Sequence, residues 1–278
     1  MIEALEIMKW PIVAILLLPG ILVYLGLHIV RRGIIFVDLA LAQVAALGTC
    51  TCLVLGHHAD DIHTYLWSFG FTLIGAAIFT FTRSKEHHRV PQEALIGIVY
   101  VVAAALGIVI LSRSPEGNEE LRRTLIGDVL LVNRKQVLGT FALYIAIGIV
   151  HWIFRKQFLA ISFDPANANC EGLKLRLWDF LFYALFGVVV TSFLQIGGVL
   201  LVFSYLIIPA ACANFLAQRL RYLVLIGWVV ATLGSLLGLY VSYQKDLPTG
   251  AAIVCALGAI LLVVGLAVRF FPPKEAAH

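Results

Sequence analysis

The chain has 278 residues, 61% hydrophobic and only 13% charged, with a formal net charge of +4. A soluble domain averages about 45–50% apolar and about 25% charged residues, so the composition excludes a soluble globular enzyme. So small a positive balance also argues against a nucleic-acid partner. The apolar residues lie in long runs, and the chain reads as an all-α, polytopic membrane helical bundle forming a single transmembrane domain over 1–278.

The first apolar run, near 10–30, follows Glu3 and Glu6, where a cleavable signal would carry basic residues, so it reads as a retained span. The second, near 34–56, contains Asp38. A lone charge in hydrocarbon costs roughly 2.5–3.5 kcal/mol on insertion scales, and a chain keeps one where something pairs with it. In a membrane protein that something is often the cargo. Before the third span, near 63–82, come His57, His58, Asp60, Asp61 and His63. Such a tract can collect a divalent ion, or serve as a plain solvated turn. Spans near 93–112 and 135–154 follow; between the third and fourth, His87 and His88 sit among Arg83, Lys85 and Arg89 in a basic surface loop.

The connection after the fifth span is patterned. Asp164 can cap a short helix with Pro165 at its first position, running through Ala168 and Glu171 and ending at Gly172. Such a helix suits docking on a partner, or a solvated connector. The remaining spans fall near 178–195, 197–217, 222–243 and 250–270, nine in all, with eight or ten if one re-enters or a short helix near 119–132 is embedded. Gly197 and Gly198 loosen the start of the seventh span, and Pro209 removes a backbone hydrogen bond from its middle, giving a gating hinge or a static kink. Gln195, Asn214 and His151 are candidates to line a pathway or to bond across helices. Gly234 and Gly238 are spaced for helix packing, and Asp246, before Pro248, reads as a cap for the last span or a contact for an outer partner. The five cysteines are scattered and read as small packing residues.

Placing the N-terminus outside puts 13 of the 20 Lys and Arg residues on inner loops and 7 on outer ones. The positive-inside rule therefore favours an outside N-terminus and an inside C-terminus. No G-x-x-x-x-G-K-[ST] occurs, so any nucleotide chemistry belongs to another chain.

Four motifs in order resemble the permeases of manganese/zinc/iron-type bacterial ATP-binding-cassette importers. Arg31-Arg32-x-x-x-Phe36-x-Asp38 is similar to the start of that family's second span, and Phe163-Asp164-Pro165 with Gly172 to its coupling helix. Gly197 through Ile207-Ile208-Pro209-Ala210-Ala211 resembles its I-I-P-A-A signature, and Ser242-Tyr243-x-x-Asp246-Leu247-Pro248-Thr249-Gly250 its D-[LI]-P-[ST]-G loop. The resemblance implies a bundle like that of the vitamin B12 importer, a type II importer fold working as a homodimer in the bacterial cytoplasmic membrane. It implies two partners, a cytoplasmic ATPase subunit and an extracytoplasmic metal-binding protein. The divalent metal ion (Mn, Zn or Fe) would be cargo, with no permanent cofactor and no enzyme activity in this chain.

One departure stands out. The family pattern has a His four residues after the Asp; here position 42 is Ala, and the polar residue is Gln43. A π-bulge between 38 and 43 would swing Gln43 back toward Asp38. Replacing imidazole by an amide leaves a harder, oxygen-based site. The expected function is thus the permease of a divalent-metal importer, with Asp38 as intramembrane ligand and Gln43 as a second. Two other classes remain open, a stand-alone secondary cation transporter using Asp38 as carrier and a membrane scaffold.

Overall fold

Runs of about twenty apolar residues satisfy their backbone internally only as helices, and the described chain follows that rule. The structure, a computed structural model, describes residues 2–57, 61–82, 91–112, 126–127, 129–163 and 173–270, so His87 and His88 lie outside the described residues. The helices are α1 (Ile2–Leu17), α2 (Pro19–Arg32), α3 (Val37–Val54), α4 (Ile62–Phe81) and α5 (Gln92–Leu111). After a 3₁₀ turn at Val129–Leu131 come α6 (Arg134–Ile153), α7 (Arg155–Phe163), α8 (Leu175–Leu216), α9 (Leu220–Lys245) and α10 (Thr249–Phe270). Among the described residues, eight helical stretches are long and apolar enough to cross a membrane, α1 and α2 together supplying the first as Lys9–Arg32.

Helix α8 accounts for the difference between eight stretches and nine crossings. Its 42 residues would reach about 63 Å if straight, twice a hydrocarbon core of about 30 Å. Gly198 breaks it with φ 70° and ψ 172°. The rings of Phe193 and Tyr205 then meet at 5.8 Å, where a continuous helix would hold residues so spaced about 18 Å apart. The helix is a hairpin with arms 175–197 and 199–216, so the described residues hold nine crossings, the number expected.

This hairpin is the centre of the bundle. Its most apolar window is 78% buried, against 22% for α5, 22% for α6 and 17% for α10, whose apolar faces are left for lipid. Close approach depends on small residues, as membrane interfaces require. A Cβ on Gly26 of α2 would lie 1.9 Å from the Leu206 carbonyl oxygen, and one on Gly238 of α9 would lie 2.4 Å from Ile253 Cα of α10. Gly234 likewise faces Leu257, so the Gly234/Gly238 pair packs α9 on α10.

Two local expectations need correction. The fifth crossing ends at Ile153, close to the expected 154, but residues 155–163, read as the start of the loop that follows, form a separate helix, α7. Apolar Phe158 and Ile161 explain it, since both are buried while Arg155 and Lys156 stay exposed. Asp246 does not cap the last helix. It lies at φ 53°, in the left-handed region, and closes the C-terminus of α9 through its N–H to the Ser242 carbonyl, a conformation a short polar residue tolerates.

Candidate metal site and coupling face

Asp38 sits in the first turn of α3, at the end of the bundle that also carries Arg32 and Asp179, rather than in mid-helix. The reason is local. Gly33 adopts a left-handed conformation (φ 66°, ψ 30°) that ends α2, and the turn through Phe36 delays α3 until Val37. Gly33 N–H bonds the Val30 carbonyl at 3.2 Å, Val37 N–H bonds the Ile34 carbonyl at 3.2 Å, and Ile35 N–H bonds Glu93 Oε1 at 2.5 Å. A carboxylate in a first helical turn is favoured by the exposed N–H groups there. Asp38 Oδ1 accepts the Leu39 N–H at 2.8 Å. Its other oxygen, Oδ2, is buried and has no hydrogen-bond partner among the described residues, and the whole residue is 1% exposed.

The expected partnership with Gln43 does not form. Helix α3 runs as unbroken α-helix from Val37 to Val54, with no π-bulge. Five helical residues rotate about 140°, so the buried Gln43 projects on a different face from Asp38. Among the described residues, no three His, Cys, Asp or Glu side chains are grouped to hold a metal. The sequence reading passed over Glu93, whose carboxylate pins the turn just before Asp38. Its place at the start of an apolar run, after Pro91, was the available signal.

The opposite end holds the histidine tract. His57 Nδ1 is 3.5 Å from Asp61 Oδ2, and the His57 and His63 rings lie 4.9 Å apart; His58 lies outside the described residues. Asp61 also borders a cavity of about 740 Å³ shared with Tyr65, Asn133, Lys135, Ser192 and Gln195. Of the polar residues read as candidates to line a pathway or to bond across helices, Gln195 thus borders this cavity. Asn214, by contrast, donates to the Ala210 carbonyl of its own helix at 2.8 Å, and His151 is buried, stacked on Phe158 at 4.3 Å between ring centroids.

Gly197 is buried beside Phe193 at the hairpin apex, and Pro209 is buried in the returning arm with its carbonyl facing Gly227. Beside that apex, the loop before α10 is held by Ser242, whose Oγ donates to the Leu247 carbonyl at 2.7 Å and lies 2.8 Å from Thr249 Oγ1. Pro248 follows directly, and Gly250 packs on the Ile126 carbonyl.

Asp164, Pro165, Ala168, Glu171 and Gly172 lie outside the described residues. The residues just before them do not. Arg32 Nε donates to Ser162 Oγ at 2.8 Å, and Arg32 Nη1 donates to Asp179 Oδ1 at 3.1 Å. The same guanidinium lies 3.8 Å from the centre of the Phe182 ring, a cation–π contact. Ser162 also meets His28 Nδ1 at 2.8 Å, and Arg31 sits over Phe163 at 5.5 Å. His28, Ser162 and Asp179 escaped the sequence reading. Asp179, a second carboxylate at the edge of an apolar span, carried the same signal as Asp38.

A helical hairpin at the core, glycine-mediated crossings and a buried carboxylate beneath a basic end define a polytopic transport permease. The ABC 3 transport family model matches residues 4–269, and the chain belongs to that family. It is 29% identical over 251 residues to the manganese transport system membrane protein MntC of Listeria innocua, covering 90% of this chain and 85% of that one. It is 28% identical over 250 residues to the manganese import system permease protein ScaB of Streptococcus gordonii, covering 90% and 86%. In fold it resembles a chain of PsaBC from Streptococcus pneumoniae in complex with Fab, with a TM-score of 0.81, 24% identity and 99% and 95% of the chains covered. A putative metal-chelate type ABC transporter in an inward-facing conformation gives a TM-score of 0.68 at 19% identity, covering 92% and 85%.

Proposed function

We propose that the chain is the permease subunit of an ATP-driven importer for a divalent metal ion, with manganese the favoured cargo. The observation that carries this is Asp38 Oδ2, a buried carboxylate oxygen without a donor among the described residues. Burying such an oxygen unsatisfied costs free energy, and a passing cation supplies the missing partner. Oxygen donors suit manganese better than the imidazole sites that zinc favours, and position 42 offers no imidazole. The names of the two manganese-transport relatives point the same way.

In this reading the cavity beside Asp61 and Gln195 receives the ion on the outer side, and Asp38 holds it before release to the cytoplasm. Asp38 is sealed from solvent in this conformation, so release requires the end of α2 and the start of α3 to move. A separate cytoplasmic ATPase drives that movement through the segment from Asp164 to Gly172. An extracytoplasmic metal-binding protein delivers the ion, two copies of the permease form the pathway, and the N-terminus lies outside with the C-terminus inside. The test is metal uptake by cells with and without the transporter, with manganese, zinc and iron offered side by side. Asp38→Asn keeps the acceptor for Leu39 N–H but lowers the charge, and manganese uptake should fall at least about tenfold, the worth of one charged ligand contact of about 1.5–3 kcal/mol. Uptake at the unsubstituted rate would remove Asp38 from the pathway, and a preference for zinc would overturn the ion assignment.

A further inference from the structure

We propose that Ser162, Arg32 and Asp179 form the rigid link by which the segment after Phe163 moves the turn carrying Asp38, an inference that rests on the coupling reading above. Two consecutive arginines of α2 grip two consecutive residues of α7, Arg32 on Ser162 and Arg31 on Phe163. Those two residues immediately precede Asp164. At its N-terminal end, a displacement of that segment is therefore applied to the end of α2.

The grip is stiff for identifiable reasons. Arg32 can only donate, so Ser162 Oγ accepts from it, and the serine hydroxyl hydrogen is left for His28 Nδ1. The guanidinium is simultaneously held by Asp179 and by the face of Phe182, both on the first arm of α8. The Arg32 and Asp179 side chains are 6% and 0% exposed, and a planar guanidinium fixed on three sides has little freedom to absorb motion. Onward from Arg32, only the turn 33–37 precedes Asp38, and its amides bond the carbonyls of Ile29, Val30 and Ile34 and the carboxylate of Glu93. A pull at Ser162 therefore reaches Asp38 through hydrogen-bonded backbone. Arg32, Ser162 and Asp179 are positioning residues, since none of them hydrogen-bonds Asp38 Oδ2.

The test uses the full complex of permease, ATPase and binding protein in vesicles, with Mn²⁺ as the probe and ATP consumed per ion transported as the readout. Ser162→Ala removes the Arg32 half of the grip while leaving the buried ion pair in place. The double variant Arg32→Met with Asp179→Leu removes the pair without stranding a charge. Both should keep the ATPase in the purified complex and keep hydrolysis within about twofold, while ATP consumed per ion rises about tenfold, the scale of a coupling change along such a path. Ser162→Thr, which retains the hydroxyl, should restore the original ratio. A parallel fall of transport and hydrolysis at constant ratio, or no change in either, overturns the link and leaves the coupling reading standing. Failure of any ATPase to purify with the unsubstituted chain would instead overturn the coupling reading, and the link with it.

Discussion

Phe193 and Tyr205 face each other at 5.8 Å between ring centroids across the apex at Gly198, so the most buried helix of the bundle is a hairpin. The φ 70°, ψ 172° conformation of Gly198 lies in territory essentially reserved for glycine, at a cost of about 1–3 kcal/mol for any other residue. Gly198→Ala should lower the unfolding temperature in detergent and reduce the yield of folded protein. Gly265→Ala, with nothing within 4 Å of the added methyl, is the control expected to be neutral or slightly stabilising. Equal unfolding temperatures for the two would contradict the hairpin.

Gln43 projects about 140° away from Asp38 on the unbroken α3, so it is expected to stand outside the ion's coordination. Gln43→Ala should leave manganese uptake within about twofold of the unsubstituted rate, unlike the loss of a charged contact of about 1.5–3 kcal/mol. A loss as large as that of Asp38→Asn would restore Gln43 as a ligand and require α3 to rewind during transport. Uptake rates measured at matched membrane levels decide between the two.

The nine crossings, the break at Gly198 and the buried charge at Asp38 were legible in the sequence, because each follows from apolar run length, glycine chemistry or the cost of a carboxylate in hydrocarbon. The position of Asp38 in a first turn was not, since its cause is the left-handed Gly33 and the pinning of Ile35 by Glu93, 58 residues further along the chain. Helix α7 was missed because its two buried anchors, Phe158 and Ile161, are too few to give a periodic signal amid basic neighbours. The Ser162–Arg32–Asp179 contacts join residues more than 100 positions apart, and only the fold brings them together.

Asp61 borders the large cavity at the His57 end together with Gln195, while His57 and His63 sit beside it at the surface. If that cavity receives the ion, Asp61→Asn with Gln195→Leu should raise the manganese concentration for half-maximal uptake and leave the maximal rate unchanged, as loss of binding common to ground and transition states does. His57→Ala with His63→Ala should shift it less, because neither histidine lines the cavity. Uptake curves over a manganese titration check both. A larger effect from the histidine pair would relocate capture to the surface tract.

Gly26 brings α2 against the backbone of the returning arm of α8, where an added methyl would lie 1.9 Å from the Leu206 carbonyl oxygen and 2.7 Å from its carbon. Neither atom can rotate aside, so α2 itself must shift, and α2 carries His28 and Arg32. A Cβ on Gly227 would meet Val23 Cγ1 at 2.5 Å and the Pro209 carbonyl at 3.4 Å, an obstacle that is mainly a movable side chain. Overpacking of this kind costs about 1–3 kcal/mol and more when backbone must move. The expected order of destabilisation is therefore Gly26→Ala above Gly227→Ala above Gly258→Ala, the last having open space around it. Unfolding temperatures in one detergent give the order. Gly26→Ala should also raise the ATP consumed per manganese ion transported, whereas Gly227→Ala should leave that ratio unchanged, because only the first displaces the helix end that holds Arg32.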